Sequence, residues 1–199
     1  MTKFVLEGGH SAEHSEYDPA LFVEMTREFD SPVRIAECLF SRPEGEQEKA
    51  FANRREFYAK YIHTPFEVRL AMKDNFLEVL AWANTMYFRG GTTNLLTSAM
   101  REFPEWHTML DGKVIVGSSA GANMLSRYYN GLDEPGVRDG LGILPLKVMV
   151  HYRSNYVPGF DWEKAEQDML NTAPELPLIR LRESEFHLWS PGGDQQKLV

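Results

Sequence analysis

The chain has 199 residues and a formal net charge of −8, an acidity that argues against a nucleic-acid backbone or an anionic membrane as partner, since either needs a concentrated basic surface. A hydrophobic fraction of 43% with 12% aromatic residues excludes disorder and allows one domain over residues 1–199 with a substantial core. The single cysteine, Cys38, excludes an internal disulfide framework and a zinc set of cysteines.

In chain order, Lys3 to Leu6 reads as a first strand ended by Gly8-Gly9. The segment before Gly8 is too polar for a signal peptide, and no stretch approaches the ~20 apolar residues of a membrane span, so a cytoplasmic protein is expected. Val33 to Phe40 reads as a second strand with Cys38 buried in it. Glu44 to Tyr61 reads as one charged helix with Phe51, Phe57 and Tyr58 facing inward. Phe66 to Ala71 is a strand, Phe76 to Ala83 a helix, and Thr85 to Phe88 a strand that stops at Gly90-Gly91 before a helical run through Leu95, Leu96 and Met100. Lys113 to Val116 is a strand followed by a helix from about Ala120, and Asn130 to Gly142 reads as one long loop. Leu146 to Val150 is a strand, Trp162, Ala165, Met169 and Leu170 mark one helix face, and Leu178 to Leu181 is a late strand. This alternation predicts an α/β three-layer sandwich with a central, mostly parallel sheet. Gly8-Gly9, Gly90-Gly91, Ser118-Ser119, His151 and Glu183 all follow strands, where ligand crevices form in such sheets.

Gly117-Ser118-Ser119-Ala120-Gly121 fits G-x-S-x-G with a strand before it and a helix after it, the context of a nucleophile on a sharp turn. Small neighbours avoid collisions at such a turn, and the Ala120 N–H is free to meet a developing oxyanion. A serine hydroxyl needs a base. Among the six histidines, His151 ends a core strand at the required edge, and His187 is the weaker candidate. His10 and His14 have i, i+4 spacing but no third metal ligand, so no metal and no organic cofactor is expected. Glu183 ends the late strand and can orient an imidazole, with Asp133 and Asp139 as competitors. Gly90 and Gly91 let backbone approach a ligand closely, but neither a dinucleotide fingerprint nor a P-loop lysine accompanies them.

These segments resemble the peptidase E and cyanophycinase group of serine peptidases, on a fold similar to class I glutamine amidotransferases. The likeness runs in order through Met86-Tyr87-Phe88-Arg89-Gly90-Gly91-Thr92-Thr93-Asn94, Val116 to Asn123, Leu141 to Tyr152 and Ala173 to Glu183. It implies a nucleophile at Ser119, a base at His151 and an orienting carboxylate at Glu183, with oxyanion donors on the backbone of Gly91 and Ala120. Thr92 stands where that family commonly has asparagine, so side-chain hydrogen bonding in the Gly90–Thr92 substrate loop differs. The family prefers an N-terminal aspartate, read by an arginine after the base histidine; Val157 to Lys164 contains no arginine. Arg153 is the alternative: a strand continued past His151 would turn it into the same crevice, where it could clamp a substrate carboxylate. The implied activity is exopeptidase or dipeptidase hydrolysis of small peptides by a monomer or homodimer. Its rivals are an esterase using Ser119, Asp133 or Asp139, and His187, and a non-catalytic binding protein of the same fold.

Overall fold

The structure is a computed structural model that describes residues 1–10, 16–190 and 196–198. The first half runs β1 (Lys3–Glu7), α1 (Pro19–Thr26), β2 (Val33–Cys38), α2 (Glu44–Phe51), α3 (Arg54–Ala59), β3 (Phe66–Ala71), α4 (Phe76–Trp82), β4 (Thr85–Phe88) and α5 (Thr93–Met100). After a 3-10 turn at Trp106–Met109 come β5 (Val114–Ser118), α6 (Ala120–Leu125), β6 (Tyr128–Gly131), β7 (Gly136–Asp139), β8 (Lys147–Met149) and α7 (Trp162–Asn171). The chain then adds β9 (Leu178–Arg180), β10 (Phe186–Trp189) and β11 (Gln196–Leu198). No helix among the described residues is long and apolar enough to cross a membrane.

Seven strands form the larger sheet in the order β11-β10-β1-β5-β4-β2-β3. Its body is parallel, from β1 across β5, β4 and β2 to β3, and β10 and β11 extend it antiparallel. Phe4-Val5-Leu6 and Val114-Ile115-Val116 are buried on both faces, which is why these strands read as unbroken apolar runs. One face packs on α4, α5 and α6 through Leu80, Leu96 and Met124; the other packs on α1 and α3 through Phe22, Met25 and Tyr58. The expected α/β layers with a mostly parallel central sheet are therefore present.

Four details depart from the sequence reading. The single helix over 44–61 is two helices, because Asn53 adopts φ 65 between them, a left-handed conformation that asparagine tolerates. That break turns Tyr58 fully into the core. The supposed loop over 130–142 holds a hairpin, with Asn130 opposite Val137 and Gly131 opposite Gly136, so its glycines and proline mark a turn. The strands leading to His151 and Glu183 leave the main sheet for a second one, ordered β7-β6-β8-β9. Finally, two strands, β10 and β11, follow Glu183, where the sequence reading expects such strands to be reduced or absent.

The second sheet docks on the first through shared core. Leu144, Leu146, Val148, Val150 and Leu181 belong to the same buried cluster as Leu6, Phe88 and Ile115. Its outer face is covered by α7, whose Ala165 and Met169 pack on Met149. Lys147, fully buried at the head of β8, fixes this helix: its ammonium donates to the carbonyls of Met169 (2.8 Å), Thr172 (2.7 Å) and Ala173 (3.1 Å). Those are the acceptors that the end of a helix leaves unpaired.

Candidate active site

Ser119 occupies the turn between β5 and α6 with φ 47 and ψ −103, a strained conformation for a residue with a side chain. The turn is held from both sides, since the Ser119 N–H donates to the Glu7 carbonyl (2.9 Å) and its own carbonyl accepts from Asn123 (2.9 Å). The need for small neighbours is steric. A Cβ added at Gly117 would lie 2.7 Å from the Gly121 carbonyl carbon, and one at Gly121 would lie 2.3 Å from the Phe88 oxygen.

The Ser119 hydroxyl is 3.0 Å from His151 Nε2, and His151 Nδ1 is 3.0 Å from Glu183 Oε1. Both latter side chains are buried, at 2% and 3% exposure. Neither strand carries its residue directly into place. After β8 ends, His151 takes φ 50 and its N–H donates to the Gly8 carbonyl (3.0 Å). The Tyr152 N–H donates to the Leu181 carbonyl (2.9 Å) and the Ser184 N–H to the Gly9 carbonyl (2.9 Å), so the Gly8-Gly9 turn of β1 ties both segments to the nucleophile's sheet. Gly9, at φ 95, is the wall of the pair: a Cβ there would lie 2.6 Å from His151 Nε2 and 2.8 Å from Ser119 Cβ.

Burial lowers the His151 pKa, and the hydrogen bond and charge of Glu183 oppose that shift without cancelling it. The imidazole is therefore neutral at pH 7, and with Nδ1–H given to the carboxylate its Nε2 is free to accept a proton. Tyr156 stacks on the imidazole at 4.0 Å between ring centres and 13° between planes. Beneath the site, Glu7 is buried and receives the Tyr87 hydroxyl (3.0 Å) and the His10 ring. Burial pushes the Glu7 carboxyl up, but His10, Ser118 and Arg89 outweigh it and hold the group below its usual range.

Gly91 and Ala120 flank the nucleophile, and among the described residues neither N–H has a backbone acceptor. A Cβ at Gly90 would touch Ser119 Cβ at 3.4 Å, so this turn lies directly on the nucleophile. A cavity of about 200 Å³ opens there, lined in part by Thr92, Ser119, Tyr129, Asp133, Arg138 and Tyr156. The arrangement can activate a hydroxyl beside a small cavity.

Other expected positions fare differently. The strand does not continue past His151, and Arg153, at φ 56 and half exposed, turns away to lie over Tyr152 and 3.9 Å from Glu166. Its expected place in the crevice is thus corrected. His187 sits on β10 opposite Leu6, and the position beside Ser119 that the esterase reading gave it is taken by His151. Asp133 lines the cavity and Asp139 lies 3.9 Å from Arg127, while the partner of His151 is Glu183. His10 bonds to Glu7 and packs at a tilt against Tyr17, and His14 lies outside the described residues. Among the described residues no three His, Cys, Asp or Glu side chains gather as a metal site requires. Tyr156, Arg138 and Asn123 went unnoticed in the sequence. Only Asn123 carried a signal, standing one helical turn after Ser119 and therefore on its side of α6.

A hydroxyl, an imidazole and a carboxyl group in line match the arrangement of a serine hydrolase. Residues 46–196 match the model of peptidase family S51, and the chain belongs to that family of serine peptidases. No curated protein matches it. A solved structure from Listeria monocytogenes EGD-e, provisionally named a peptidase E protein, is similar over 100% of both chains with a TM-score of 0.63 and 13% identity, a likeness of fold.

Proposed function

We propose that the protein is a serine exopeptidase of small peptides in which Ser119 is the nucleophile, His151 the general base and Glu183 the group that orients it. Ser119 Oγ attacks the scissile carbonyl while His151 Nε2 takes its proton. The oxyanion is met by the N–H groups of Gly91 and Ala120. His151 returns the proton to the leaving amine, leaving an acyl-enzyme, and then activates a water that hydrolyses it. Glu183 stabilises the imidazolium formed in each half. The observation that carries this reading is the pair of 3.0 Å contacts linking Ser119, His151 and Glu183.

The cavity beside Ser119, of about 200 Å³, supports a small acyl group. An acidic or isoaspartyl N-terminal residue is the finer part of the proposal. Arg138 lines the cavity and, by exchanging its 3.0 Å ion pair with Glu134, is the cation available there to a substrate carboxylate. The test is peptide hydrolysis together with fluorophosphonate labelling. Ser119→Ala is expected to abolish both while leaving the circular-dichroism spectrum unchanged; retained turnover ends the assignment. A panel of Asp-Xaa, isoaspartyl and neutral dipeptides on wild type and Arg138→Ala reads the specificity, with selective loss of the acidic substrates expected.

A further inference from the structure

Two glycines can turn the peptide unit between them over at little steric cost, so a Gly-Gly turn does not by itself decide which way that unit faces. In a trans peptide the C=O of one residue and the N–H of the next point in opposite directions. Whatever fixes the Gly90 carbonyl therefore fixes the Gly91 N–H. The flanks of the turn are anchored elsewhere: the Arg89 N–H donates to the Cys38 carbonyl (3.0 Å) and the Thr92 N–H to the Ser41 carbonyl (2.9 Å). The Arg89 side chain is held as well, with Nε 3.4 Å from Glu37 and a terminal nitrogen donating to the Tyr17 hydroxyl (2.9 Å).

Among the described residues, one side chain reaches the remaining peptide unit. Ser41, 2% exposed and three residues beyond β2, donates its hydroxyl to the Gly90 carbonyl at 2.9 Å. Its backbone also presses against the next residue, since a Cβ on Gly91, at φ 146, would lie 2.6 Å from the Ser41 oxygen. We propose that Ser41 is a positioning residue of the peptidase: its hydroxyl pins the Gly90 carbonyl on the side away from the site and so turns the Gly91 N–H toward the oxyanion. The hydroxyl also polarises that N–H, because a peptide whose carbonyl accepts a hydrogen bond donates a stronger one. Ser41 acts through the Gly90–Gly91 peptide, and removing its hydroxyl leaves the Gly90 carbonyl a reason to turn elsewhere.

The inference rests on the reading of Gly91 as an oxyanion donor, and the experiment separates the two. Ser41→Ala and Ser41→Thr are compared with wild type for kcat and KM on a dipeptide, for the second-order rate of labelling by a small fluorophosphonate, and for Tm. The phosphonyl oxygen occupies the oxyanion position, so labelling reports the donors without needing the true substrate. In Ser41→Ala both kcat and labelling rate are expected to fall at least about tenfold, the weight of one hydrogen bond. The ceiling is the ~10²–10³-fold loss seen when an oxyanion donor is removed outright. KM should stay within about twofold, because the interaction is made in the transition state. Ser41→Thr keeps the hydroxyl and is expected to recover most of the rate. A Ser41→Ala protein with kcat and labelling unchanged overturns the positioning role and leaves Ser119 standing. A kcat loss in Ser41→Ala that a stably folded Ser41→Thr fails to repair also overturns it. Labelling of wild type at a serine other than 119 overturns both readings.

Discussion

Gly9→Ala is the sharpest probe of the site, because the new methyl has a known destination. Its Cβ would sit 2.6 Å from His151 Nε2, where the shortest ordinary contact is 3.4 Å, so the imidazole must recede by about 0.8 Å. Starting from 3.0 Å, the separation between Ser119 Oγ and His151 Nε2 would then approach about 3.8 Å, beyond hydrogen-bonding range. Misplacement on this scale costs on the order of 10²-fold in rate. The backbone also pays, because φ 95 is a conformation that a residue with a side chain adopts at a cost of roughly 1–3 kcal/mol. Gly112→Ala is the matching control: Gly112 has φ 70 and nothing within 4 Å of an added Cβ. Thermal unfolding and kcat/KM are measured for both. Both variants should lose stability through backbone strain, Gly9→Ala the more because its clash adds to it, but only Gly9→Ala should lose about 10²-fold in kcat/KM. Full activity in Gly9→Ala, or an equal activity loss in Gly112→Ala, would show that close packing of the β1 turn on the imidazole is irrelevant to turnover.

Other outcomes follow from the same geometry. Because burial lowers the His151 pKa, the acid limb of kcat/KM should fall below pH 6.5, with activity lost as the imidazole protonates. Glu183 opposes that shift, so Glu183→Gln should move the limb to still lower pH and reduce kcat by roughly 10³–10⁴-fold, as a pH profile of both proteins will register. Arg153→Ala should stay within about threefold of wild type on every dipeptide, since its ion pair with Glu166 is long and half exposed. Lys147→Met takes the ammonium donor from the buried Met169 carbonyl and the part-buried Thr172 carbonyl, while Ala173 keeps the Leu176 N–H, and should cost roughly 1–3 kcal/mol in urea denaturation at an unchanged m-value.

Much of the site was legible because its parts sit at strand ends and two of them obey steric rules. The serine turn announces itself through Gly117 and Gly121, whose missing side chains are demanded by contacts at 2.7 and 2.3 Å. His151 and Glu183 were readable as residues that follow apolar strands, although those strands belong to a second sheet. Sheet membership is a long-range choice: Leu146 to Val150 is as apolar as any strand of the main sheet, and nothing local says which neighbour it takes. Arg153 failed for the same reason in miniature. Period-two alternation holds only while a strand lasts, and this one had ended at Met149. Ser41 was invisible because its role lies in one hydroxyl aimed at a carbonyl 49 residues away. Asn53 could have warned of the helix break, since asparagine is the residue that most readily replaces glycine at a left-handed position.

Ser119 rides on one sheet, whereas His151 and Glu183 follow strands of another, and the backbone bridges from Gly8 and Gly9 close the gap between them. Hydrolytic competence is thus an emergent property of assembly. A chain in which the two sheets have parted would hold Ser119 away from His151 and be unable to cut its neighbours. The enzyme is armed only when folding is finished, and on denaturation it should be disarmed first, with loss of turnover running ahead of loss of secondary structure.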